Sequence, residues 1–74
     1  MNEMEKEHND LISRLENEYN DLMSKIEKVS NILNDKTAKI AAIQKELLSQ
    51  QKKAMIEYAS ILKTRIELLK ANWK

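Results

Sequence analysis

The chain has 74 residues and a formal net charge of +1; 42% of it is hydrophobic and 34% charged, with no glycine, proline, cysteine or phenylalanine. A single chain of this size buries only about 60% of its unfolded surface and needs a staple; without cysteine, neither a disulfide nor a thiolate metal site supplies one, which leaves oligomerisation. Without glycine, tight β-hairpin turns, phosphate-cradling loops and nucleophile elbows lack their residues, so the composition predicts an all-α protein that is not an enzyme.

The chain opens with MNEMEKEHND, acidic where a signal peptide is basic and then apolar, and no apolar run approaches the ~20 residues that span a bilayer. The expected location is cytoplasmic. His8 is the only histidine, and its helical neighbours Met4, Glu5, Leu11 and Ile12 offer one carboxylate and no second nitrogen. That set does not make a metal site, so His8 is read as a surface or frayed-end residue, and neither metal nor cofactor is expected.

A first seam follows. Ile12, Leu15, Tyr19, Leu22, Ile26, Val29 and Leu33 alternate by three and four residues, the two-seat heptad of a helix along which another helix packs. These residues form the expected dimer or core seam of an acidic helix over 1–34. Isoleucine at Ile12 and Ile26 with leucine at Leu15 and Leu22 leans toward two strands.

In strict register the seam continues to Lys36, Ile40, Ile43 and Leu47, and Lys36 is its first charged seat. The surrounding Asn34, Asp35, Lys36 and Thr37 are the most turn-like run of the chain, so a helix break is placed at 34–37. Asn34 can adopt a left-handed C-terminal conformation, and Asp35 or Thr37 can cap the next helix. One continuous helix with Lys36 leaving the seam is the alternative.

A second helix over 37–74 carries an out-of-phase seam of Leu48, Lys52, Met55, Ala59, Leu62, Ile66, Leu69 and Trp73, widened by Ile56, Tyr58, Ile61 and Leu68. A phase slip of this kind ends or unwinds a paired region. Charge divides with it: residues 1–37 hold nine acids against five bases, −4, and residues 38–74 hold eight bases against three acids, +5. Two helices folded back on each other, or two antiparallel chains, would face acid with base. The whole reads as one helical domain over 1–74, two long amphipathic helices in a coiled-coil-like homodimer.

The C-terminal end is basic and amphipathic. Leu62, Ile66, Leu69 and Trp73 recur at the spacing of a helix lying in a partner's groove, and Trp73 supplies a large rigid anchor. The same residues could instead finish the core while the bases face solvent. Few aromatics and an acidic first half argue against nucleic acid as a ligand; membrane-surface binding is the weaker use of a basic helix with tryptophan.

A short glycine-free, proline-free helical chain with a dimerising seam and the tail LKTRIELLKANWK resembles the small internal scaffolding proteins of tailed phages and their satellites, above all the capsid size-redirecting scaffold of staphylococcal pathogenicity islands. The resemblance implies a homodimer that binds a coat protein and directs shell assembly and size, located transiently inside an assembling capsid. It implies a partner-binding set of Lys63, Arg65, Ile66, Leu69 and Lys70, beside Trp73. The motif R-I-x-x-L-K is short and occurs in many amphipathic helices. A small coiled-coil regulator or inhibitor that binds one host protein is the other reading.

Overall fold

In a computed structural model the described residues are 3–72, and they form two helices, α1 (Glu3–Asn34) and α2 (Ala42–Asn72). Uninterrupted helix over 32 and 31 residues follows from a sequence without glycine or proline to break it. Glu3 and Glu5 occupy the first turn of α1 and Lys70 the last turn of α2, each matched to the local end of the helix dipole.

The helices run antiparallel as a hairpin. His8 near the start of α1 meets Leu69 near the end of α2, and Glu18 meets Tyr58. The result is a rod of 54 × 15 × 13 Å. Its core consists of Ile12, Leu15, Leu22 and Ile26 from α1 against Ala59, Leu62 and Ile66 from α2, with Tyr19, Met55 and Leu69 packed at the margin. Val29 is also buried, and Leu33 is half-buried toward the loop. Each fully buried aliphatic side chain stabilises the fold by about 1.5–3 kcal/mol.

The two seams therefore satisfy each other within one chain, and burying the first does not require a second copy. The phase slip has a geometric meaning. Leu33 ends the α1 seam, and Ile43 and Leu47, which continue its register in sequence, are 61% and 49% exposed. The chain turns back between them, so the second seam, not the continuation of the first, faces α1.

The reversal occupies residues 35–41, and α2 begins at Ala42 rather than at 37. Asp35 takes the capping role, but for the turn and not for the helix. Its Oδ1 accepts from the Thr37 backbone N–H at 2.9 Å and from the Thr37 hydroxyl at 2.6 Å, while the Ala38 N–H donates to the Asp35 carbonyl at 3.3 Å. Those bonds hold the local backbone out of helix. The first bond of α2 runs from Lys45 N–H to the Ala41 carbonyl. Asn34 does not turn left-handed, because no described non-glycine residue has positive φ; the Asp35 turn does the work instead.

Candidate partner-binding groove

Two helices leave open channels along both edges of their contact. Along one edge, a depression of about 240 Å³ is lined by Glu16, Tyr19, Asn20, Lys63, Ile66 and Glu67. A second of about 350 Å³, lined by Met23, Ile26, Ile56, Ala59 and Ser60, shares Tyr19 and Lys63 with the first. The core residues Ile26, Ala59 and Ile66 form the floor, and half-exposed Met23 and Ile56 stand as walls. Glu16, Lys63 and Glu67 supply charge at the rim.

The opposite edge is polar. Arg14, Glu18, Asp21, Lys25 and Tyr58 line a depression there. The Tyr58 hydroxyl donates to the Glu18 carboxylate, which ties α2 to α1. That bond, then desolvation, then the charge of Glu18 push the Tyr58 phenol above its ordinary value, and the Arg65 guanidinium opposes them. At the loop, the Thr37 hydroxyl and backbone N–H hold the Asp35 carboxyl below its ordinary value.

The residues expected to bind a partner do not share one surface. Ile66 is buried in the hairpin core, and Leu69 is half-buried against it. Lys63 reaches the groove rim, whereas exposed Arg65 lies on the Tyr58 side. Lys70 is exposed and paired with Glu16 at 2.9 Å, an acid-to-base contact between the oppositely charged halves. Such an exposed pair contributes about 0–1 kcal/mol. Trp73 lies outside the described residues.

His8 is not a frayed-end residue. It is half-buried, and its Nε2–H donates to the Leu69 carbonyl at 2.9 Å. That carbonyl lies in the last turn of α2, where oxygens lack an intrahelical donor, so an α1 side chain caps the far end of α2. Sequence periodicity gave no sign of this bond, because it depends on which residue of α2 lies opposite position 8. Tyr19, Met23 and Ile56 as groove residues were likewise hidden until the two helices were paired.

Among the described residues, no three His, Cys, Asp or Glu side chains come together in a group that could hold a metal ion. No helix is long and apolar enough to cross a membrane among them. What the edge can do is accept the apolar stripe of a third helix, with Lys63 and Glu67 at the rim to meet its flanking charges.

A family model described as Sequestin matches residues 9–68. The chain belongs to the Sequestin family. The matched span takes in most of both helices, the reversal between them and every residue of the groove, and stops before Leu69, Lys70 and Trp73. No curated protein and no solved structure matches the chain. Of the basic tail, this Sequestin's family match includes Lys63, Arg65 and Ile66.

Proposed function

We propose that this Sequestin is a small phage or satellite protein that acts by binding, not by catalysis: it captures an amphipathic helix of another protein in the groove beside Tyr19, Met23, Ile56 and Lys63, and so withholds that protein from its usual assembly. The observation that carries the reading is an apolar channel between two helices, open along one edge and lined by a core floor. A third helix laid there completes a three-helix bundle and removes the exposed parts of Met23 and Ile56 from water. The family name speaks of sequestration. Stoichiometric capture is the mode that a short hairpin with an apolar groove suits.

The test is a pull-down from the native source, followed by titration of the retained protein in purified form. Binding at one partner per hairpin is expected, weakened about 30-fold or more by Ile56→Glu or Met23→Glu, as for central residues of an interface. Both side chains are partly exposed, so neither change should unfold the hairpin. Affinity indifferent to both substitutions would remove the groove from the reading.

Internal scaffolding is the second reading, supported by the exposed basic residues Lys63, Arg65 and Lys70 at the end of α2. In that case the retained protein is a coat protein, many copies act together inside the assembling shell, and self-association multiplies a weak contact. Lys63→Glu with Arg65→Glu would then abolish binding, and Ile56→Glu would leave it unchanged.

A further inference from the structure

Helix α2 carries another apolar seam that the hairpin does not use. Leu47, Ala54, Ile61 and Leu68 recur every seven residues, with Gln51, Tyr58 and Arg65 at the intervening seats. This three-and-four spacing is that of a helix along which a further helix packs. Yet Leu47, Tyr58, Ile61 and Leu68 remain 49%, 45%, 59% and 55% exposed.

The side of α2 bearing this seam is also poor in charge. Of its twelve positions between Ile43 and Leu68, only Glu57 and Arg65 are charged, in a chain whose charged fraction is 34%. Loss of charge marks the centre of a protein interface better than hydrophobicity alone. The surface area agrees. The chain exposes 6084 Å², whereas a compact monomer of 8.7 kDa exposes about 4,700 Å² by the usual scaling. The excess exceeds the ~800 Å² per partner that a standard interface buries.

The two charges indicate what covers the seam. Glu57 and Arg65 are eight residues apart, about 12 Å along the helix, too far to pair with each other. A parallel copy would set like on like. An antiparallel copy, related by a two-fold axis at the level of Ile61, lays Ile61 against the partner's Ile61, sets Ala54 level with the partner's Leu68 and brings Glu57 beside the partner's Arg65, and symmetry makes each off-axis contact twice.

We infer that two copies dock antiparallel through this side of α2 to form a four-helix bundle. The seam lies across the helix from the groove of Met23, Ile56 and Lys63, so each copy keeps its groove open and the dimer presents two. The inference does not depend on what the groove binds.

Sedimentation equilibrium on the full chain, from about 1 to 100 µM, tests it. The expected mass is twice 8.7 kDa. Ile61→Glu combined with Leu68→Glu is expected to give a monomer with unchanged far-ultraviolet circular dichroism. Glu57→Arg and Arg65→Glu are each expected to raise the dimer dissociation constant about tenfold, and the two together to restore it to within a few-fold of the parent. Because the pair cannot meet within one helix, restoration reports a contact between copies, and it decides the matter even if the doubly acidic apolar variant fails to fold. A monomer across the whole range, a dimer indifferent to Ile61→Glu and Leu68→Glu, or charge changes that merely add would overturn the inference.

Discussion

Leu62 is fully buried, at 0% exposure, while its neighbour Ile61 is 59% exposed. Replacing Leu62 with alanine removes the centre of the α2 contribution to the core and leaves a space between Leu62's former site and the α1 seam. A change of this kind costs about 2–5 kcal/mol, depending on how far the surroundings collapse. A domain of this length holds about 4–11 kcal/mol in total, at ~0.05–0.15 kcal/mol per residue. Leu62→Ala should therefore remove a large share of the stability and lower Tm by roughly 8 °C or more. Ile61→Ala, measured at a concentration low enough to keep copies apart, should stay within about 0.5 kcal/mol. Urea unfolding followed by circular dichroism separates the two, with the midpoint falling for Leu62→Ala and the slope retained. Equal losses, or a larger loss at Ile61, would mean that α2 faces α1 in a different phase and would refute the packing described above.

Three further outcomes follow from named contacts. His8→Ala leaves the Leu69 carbonyl without its side-chain donor, which should cost about 0.5–1.5 kcal/mol and speed hydrogen exchange in the last turns of α2; unchanged exchange there would show that the bond does not hold the helix end. Tyr58, read by alkaline absorbance in a Tyr19→Phe background, should titrate above 10.0, and Glu18→Gln should bring it down. Because the folded value is raised, the stabilisation from this contact is complete below pH 10 and is lost as pH rises through the folded value; no response to Glu18→Gln would remove the contact from the account. Asp35, followed by carboxyl NMR, should titrate below 3.8, and Thr37→Ala should raise it. Here the folded value is depressed, so the contribution is present above pH 3.8 and fades as pH falls through the folded value.

The groove and the unused seam give this hairpin different surfaces on opposite sides of α2. Ile56 lies on the first, while Ile61 and Leu68 lie on the second. Substitutions at these sites can therefore test the proposed partner capture and the proposed self-association separately. Lys63 and Arg65, adjacent in the basic tail, fall on different sides for the same reason: two residues apart on a helix is about 200° of rotation.

Much of the fold was legible because periodicity is a local property. The absence of glycine and proline left helix as the only extensive structure, and the heptad spacing from Ile12 to Leu33 identified which face of α1 is covered. The out-of-phase spacing from Leu48 to Leu69 did the same for α2. Less was legible at the reversal. Asp35 and Thr37 were visible as capping residues, but whether they start a helix or hold a turn depends on where the chain must reverse for the seams to meet.

By itself, then, the sequence determined two amphipathic helices, the residues on their covered faces, the interruption after Leu33 and the separation of acid from base along the chain. All of these rest on residue type and spacing within one segment. The tertiary structure decided that the seams close on each other within one chain, that Ile66 and Leu69 belong to the hairpin contact, that His8 caps Leu69 across 61 positions of sequence, and that Met23 and Ile56 flank one groove. Those outcomes depend on the register between distant segments, which is set by how the side chains of α1 fit between those of α2, and no pattern within either helix contains it.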